Sequence, residues 1–213
     1  MPTDPFVDIG DLSSLGLLRY LDVRDQAAFD AGHAPGAVRV PLEEWDAAAK
    51  AADTGFAKTA YWDDALGTLG VGPTLTAVAY DSGGMTNAAR VWFILQYYGL
   101  KAVILNGGWP VLASATGLPP GAAASRDGFR AVPGSGPVGL VDRETLKDQL
   151  DGRAHVFDTR TCRVHWRGRA QSRPQRPSAR GAAPVARGSA REWGGSARLG
   201  SAHDAETGWV WPW

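Results

Sequence analysis

The sequence predicts an α/β fold, a central and mostly parallel sheet flanked by helices. Three observations lead there. Apolar residues make up 44% of the 213 positions, enough to bury a core. Short apolar runs suited to buried strands recur at 17–23, 76–80 and 102–105. Strand, loop, helix and strand then follow one another, the order of a parallel sheet with helices on its faces.

The elements follow in chain order. Leu17–Val23 (LLRYLDV) is the first strand. Asp25–Ala31 is a brief helical turn ending at Gly32, and His33-Ala-Pro-Gly36 is a rigid loop, because Pro35 restricts φ and Gly36 permits a sharp bend. Leu42–Lys50 is helix-like, and Asp63–Leu69 is a second short helix stopped by Gly70. Thr76–Tyr80 is a buried strand, and Asp81–Thr86 (DSGGMT) is a tight loop. Asn87–Tyr98 has apolar residues at 91, 94, 95 and 98, which is helical spacing, and Gly99 ends it. Ala102–Leu105 is the third strand, followed by Gly107-Gly108-Trp109 and a helix over Pro110–Ser114.

Beyond this point the chain changes character. Residues 116–139 are rich in Gly, Pro, Ala and Ser, a linker signal. Asp142–Leu150 looks helical, and Ala154–Asp158 looks like a strand leading into Asp158-Thr-Arg160. The hydrophobic-Asp-x-Arg pattern at Leu21–Arg24 returns at Phe157–Arg160, each time after a strand, as in an internal duplication. Residues 1–162 hold 13 basic and 19 acidic side chains; residues 163–213 hold nine arginines, three acidic residues, five of the nine tryptophans and almost no aliphatic side chains. Such a stretch cannot bury enough apolar surface to offset its ordering entropy and is expected to be disordered. Two readings of it stand side by side: a basic arm for an acidic partner, or a reading-frame shift in a GC-rich gene.

Composition also excludes. Net formal charge is zero, giving no reason to invoke nucleic acid or an anionic membrane. No apolar run approaches the ~18 residues of a membrane span. The acidic start lacks a signal peptide's basic region, and a single cysteine rules out an internal disulfide framework or a multi-cysteine metal site. The expected setting is cytoplasmic.

Three motifs, in order over about residues 15–115, resemble the rhodanese (sulfurtransferase) family. They are Asp22-Val-Arg24 with Phe29 and Gly32-His-Ala-Pro-Gly-Ala37; Val78-Ala-Tyr-Asp81 through Ala89-Arg90-Val91-Trp92; and Val103-Ile-Leu-Asn-Gly-Gly-Trp109. A linker followed by a second Asp-x-Arg is similar to the two-domain thiosulfate and 3-mercaptopyruvate sulfurtransferases. The resemblance implies a rhodanese-like domain at 1–117, a linker at 118–138, the start of a second copy at 139–160 that does not close, and a tail at 161–213. It implies sulfane sulfur transfer from a small anionic donor, thiosulfate or 3-mercaptopyruvate, to a thiol or cyanide, with no cofactor.

That chemistry needs a thiolate, which attacks the donor's outer sulfur, holds it as a persulfide and passes it on. In the family the thiolate sits in a loop of inward-pointing N–H groups at a helix N-terminus. The equivalent loop here begins at Asp81, which cannot form a persulfide and brings negative charge into the cradle. Asp81 is expected to accept hydrogen bonds from the loop amides and hold the loop shut. This departure matches the non-catalytic first domain of the two-domain members. Cys162, the only thiol, stands just after Asp158-Thr-Arg160 and is expected to be incidental. The spacing from Asp22 to Asp81 would put a second loop near residue ~217, past position 213, and residue 168 is Gly, so no Cys-x5-Arg phosphatase loop exists either. The expectation is a chain with no catalytic residue; the alternative is a non-catalytic binding or regulatory module. His33 is expected to bond its own loop, Arg90 to pair with a carboxylate such as Asp22 or Asp81 rather than bind substrate, and Trp92, Phe93 and Tyr97 to serve as core or domain-interface residues rather than as a stacking platform.

Overall fold

A computed structural model describes residues 4–123, 129–149 and 157. The chain divides between Val141 and Asp142 into two units. Cys162, the second Asp-x-Arg, most of the strand expected at 154–158 and the tail lie outside the described residues.

In the first unit five parallel strands form one sheet: β1 (Phe6–Val7), β2 (Leu18–Asp22), β3 (Val38–Arg39), β4 (Thr76–Tyr80) and β5 (Ala102–Leu105), in the spatial order β1-β5-β4-β2-β3. The three strands read from the sequence are the central ones. All five residues of β2 and all four of β5 are buried, as expected of parallel strands covered on both faces. The flanking strands β1 and β3 are two residues long. Nothing in so short a stretch has a period, and only pairing makes them strands: Phe6 aligns with Ile104, and Val38 with Leu21.

The helices are α1 (Gln26–Ala31), α2 (Leu42–Lys50), α3 (Thr59–Gly67), α4 (Thr86–Tyr97) and α5 (Gly108–Ser114), with a 3₁₀ segment at Ile9–Leu15 ahead of β2. Helix α3 starts four residues before the expected Asp63. Its buried face is Trp62 and Leu66, one turn apart, so packing sets its position. Asp63 instead accepts the Ala131 N–H.

One core lies against each face of the sheet. The larger is aromatic: Trp62 packs between Trp45, Phe56 and Tyr98 at centroid distances of 5.7, 5.0 and 5.7 Å. Its polar tips are satisfied, Trp62 Nε1 donating to Thr54 O (3.0 Å) and Tyr98 Oη to Phe56 O (2.8 Å). The smaller core joins Leu12, Tyr20, Val78, Tyr80 and Leu105. As expected, Phe93 and Tyr97 are buried, while half-buried Trp92 donates its indole N–H to Ala102 O at 3.0 Å.

The stretch predicted as linker touches the first unit repeatedly. Tyr20 Oη donates to Pro119 O (3.0 Å), Ala122 N donates to Leu18 O (2.7 Å), and Ala131 and Val138 are buried. Gly136 lies so close to the Gln96 carbonyl that a Cβ would overlap it. In the second unit α6 (Arg143–Gln149) occupies the helical stretch expected at 142–150, capped by Asp142, whose carboxylate accepts the Thr145 N–H at 2.8 Å.

Candidate functional site

The loop between β4 and α4 starts at Asp81, which is buried. Its carboxylate turns back into the loop. Oδ1 accepts the N–H groups of Gly83 and Met85 at 2.9 Å each, and Oδ2 accepts those of Asn87 and Ala88 at 3.1 and 3.3 Å. Met85 stands in the left-handed region at φ 59, which lets the chain turn from the loop into α4. The N–H groups and the helix N-terminus give the cradle a positive field, and the Asp81 carboxylate occupies it. A carboxylate at the head of this loop was expected to bond in this way.

The loop is locked from behind. Trp109 N donates to Asp81 O at 2.8 Å. Gly108 lies at φ 59, and a Cβ there would sit 2.7 Å from Gly83 N, so no side chain fits between the two loops. The Gly107-Gly108-Trp109 run thus allows the Asp81 loop and α5 to touch backbone to backbone.

Beneath the loop, Asp22 and Arg24 form a buried pair. Arg24 Nε donates to Oδ1 at 2.9 Å and Nη2 to Oδ2 at 2.5 Å; Arg24 N also donates to Oδ1, at 3.0 Å. Tyr80 Oη donates to Asp22 Oδ2 (2.8 Å), Arg24 Nη2 donates to Gly32 O (2.6 Å), and the guanidinium lies 4.2 Å from the Trp109 ring centre. The bonded Asp22 carboxylate holds Arg24 above its ordinary pKa, against the opposing pull of burial. Burial also pushes the Tyr80 hydroxyl up. His33 Nδ1 bonds back to Phe29 O in α1 (2.9 Å) rather than within its own loop, and its ring stacks on that of Phe29 at 4.0 Å.

A cavity of about 510 Å³ opens over the Asp81 loop. Its wall carries the carboxyl-bearing Asp25, Glu43, Asp46 and Asp81, together with Arg24 and Arg90. Arg90 pairs with a carboxylate, as expected, but with neither of the two named as examples. It pairs with Asp46, Nη1 to Oδ2 at 3.2 Å, rather than with Asp22 or Asp81. Asp22 is already saturated by Arg24 and Tyr80, and Asp81 by the loop amides, so α4 meets the free carboxylate that α2 presents. Glu43 pairs with Arg39, which holds its carboxyl below the usual range. Arg39 and Arg90 are therefore each paired with a carboxylate, and four of the loop N–H groups, those of Gly83, Met85, Asn87 and Ala88, are taken by Asp81. The other oxygen of Asp46, Oδ1, is buried and finds no partner among the described residues. Sequence reading missed Asp46 and Glu43, which reach the site from α2, about 35 residues before the loop.

Among the described residues no group of three or more His, Cys, Asp or Glu could hold a metal ion, and no helix is long and apolar enough to cross a membrane.

Comparison with known proteins gives the following. Residues 10–115 match the family described as the Rhodanese-like domain. Among solved structures, the chain is similar to SseA from Escherichia coli, described with the rhodanese fold and catalytic mechanism of 3-mercaptopyruvate sulfotransferases, at 22% identity and a TM-score of 0.56, covering 81% of this chain and 71% of that one. It is also similar to 3-mercaptopyruvate sulfurtransferase from Leishmania major, at 20% identity and a TM-score of 0.49, covering 76% of this chain. The match spans about half (48%) of that enzyme's length. No curated protein sequence matches.

Proposed function

We propose, taking as premise the rhodanese-like domain that residues 10–115 form, that this domain is the non-catalytic half of a sulfurtransferase: it keeps the architecture of sulfur transfer and performs none itself. One observation carries the reading. The head of the loop is a carboxylate whose two oxygens already take four backbone N–H groups.

A thiosulfate or 3-mercaptopyruvate anion brought to that loop would meet Asp81 where it needs a nucleophile, with the N–H groups of Gly83, Met85, Asn87 and Ala88 already given to that carboxylate. Carboxylate oxygen does not form a persulfide, so the transfer has no first step here. The wall adds to this effect, because its carboxylates repel an anionic donor while its arginines, Arg24 and Arg90, are engaged by Asp22 and Asp46.

The test is direct. The purified chain is incubated with thiosulfate or 3-mercaptopyruvate and cyanide, and thiocyanate, pyruvate and intact mass are measured. The expected result is no turnover and no mass gain of one sulfur atom, with Asp81→Cys gaining that sulfur at its loop. Turnover by the parent chain that disappears in Cys162→Ser would overturn the reading.

A further inference from the structure

We propose that Asn106 is a modification site: the Gly107 backbone nitrogen attacks its side-chain amide, the residue converts to aspartate or isoaspartate, and the edge strand β1 loosens. The site lies in the turn between β5 and α5 and does not depend on the sulfur-transfer reading.

The chain has two asparagines, Asn87 and Asn106, and both are exposed. Deamidation uses the backbone nitrogen of the following residue as nucleophile, and here the two differ. After Asn87, the Ala88 N–H donates to Asp81 Oδ2 at 3.3 Å, in the first turn of α4. After Asn106, the Gly107 N–H has no hydrogen-bond acceptor among the described residues. Gly107 has no side chain to crowd the attack, and it lies at φ 80 in the turn ahead of α5. An exposed asparagine amide next to an unengaged backbone nitrogen is thus found at Asn106 and not at Asn87.

The step balances with water as its only co-reactant. A bond forms from Gly107 N to Asn106 Cγ, the bond from Cγ to Nδ2 breaks, and ammonia leaves with the proton of Gly107 N. Water then opens the cyclic imide at either carbonyl, giving aspartate or, with the backbone rerouted through the side chain, isoaspartate. Nothing is oxidised or reduced.

The position of Asn106 gives the change a consequence. Its Nδ2 donates to Asp8 Oδ1 at 2.9 Å, and its backbone N donates to Val7 O at 2.9 Å. Both bonds fasten the two-residue strand β1 to the end of β5. Aspartate at 106 replaces the amide donor by a second carboxylate beside Asp8, so an attraction becomes a repulsion. Isoaspartate adds a methylene to the backbone ahead of Gly107. The Gly107 carbonyl packs on the Asp81 loop, where a Cβ on Gly83 would lie 3.2 Å from it.

The experiment incubates the full chain in mildly alkaline buffer, with and without urea, and maps it by trypsin and mass spectrometry. Cleavage after Arg90 and Lys101 puts the two asparagines in different peptides. The expected result is a gain of about 1 Da, an amide becoming an acid, that accumulates in the Asn106 peptide without urea as an aspartate and isoaspartate pair. The Asn87 peptide is expected to stay unchanged, and Asn106→Gln, which needs a larger ring, to lose the gain. Asn106→Asp is expected to melt below the parent, with part of the loss recovered when Asp8→Asn is added. No gain without urea, or an equal gain at both asparagines, would overturn the proposal, as would an Asn106→Asp chain that melts with the parent. Should Asn106→Asp fail to fold, the mass gain in the parent decides.

Discussion

The Arg24 guanidinium lies 4.2 Å from the centre of the Trp109 ring, joining two motifs 85 residues apart. Around that contact the three recognised sequence motifs meet. Arg24 reaches back to Asp22 and across to Gly32 O, Tyr80 donates to Asp22, and Trp109 N donates to Asp81 O. The Asp-x-Arg pattern here is a structural clamp beneath the loop.

The clamp predicts a large cost for breaking it. Arg24→Met leaves the fully buried Asp22 carboxylate without its counter-charge. Removing one partner of a buried pair typically costs about 3–5 kcal/mol. Urea unfolding is expected to show a loss of that order, and Asp22→Asn with Arg24→Met together a smaller loss than the sum of the two single variants.

Asp81 predicts a local effect. Asp81→Ala strands four N–H groups, each a donor to the carboxylate at 2.9–3.3 Å. The expected loss is about 1–3 kcal/mol. Hydrogen exchange at residues 83–88 should quicken by far more than exchange in β4, and unchanged protection there would contradict the role given to this carboxylate.

Gly108 predicts sensitivity where no side chain is present. Gly108→Ala brings a Cβ to within 2.7 Å of Gly83 N at a φ of 59. Strain of about 1–3 kcal/mol is expected, and the loop is expected to part from α5. Trp109 fluorescence is the readout, best followed in a background lacking the tryptophans of residues 163–213.

The tyrosines predict an alkaline limit. All five, Tyr20, Tyr61, Tyr80, Tyr97 and Tyr98, have their pKa raised, and in each case burial is the largest cause. The neutral form is favoured by folding, so this stability is fully present below the unfolded tyrosine value of about 10. It is lost as pH rises above that value toward the folded ones. Ultraviolet titration of phenolate is expected to lag behind that of the denatured chain and then to rise together with unfolding.

Much of this was legible in the residues themselves. Leu18–Asp22, Thr76–Tyr80 and Ala102–Leu105 announce themselves as strands, because a strand buried on both faces must be apolar along its length. Asp81 at the head of a Gly-Gly loop is plain in the sequence, and it is the resemblance to the rhodanese family that implies a sulfur nucleophile at the same place in catalytic members. Tertiary structure alone decided the rest. Val38–Arg39 is a strand because Leu21 and Asp22 lie beside it. Asp46, not Asp22 or Asp81, holds Arg90 because α2 and α4 converge on one cavity after the other carboxylates have been saturated. Arg19 sits in an apolar strand without a paired carboxylate among the described residues, and only its burial marks it out. Residue type and local spacing set backbone preference and chemical capability; partner choice depends on which groups the fold has already satisfied.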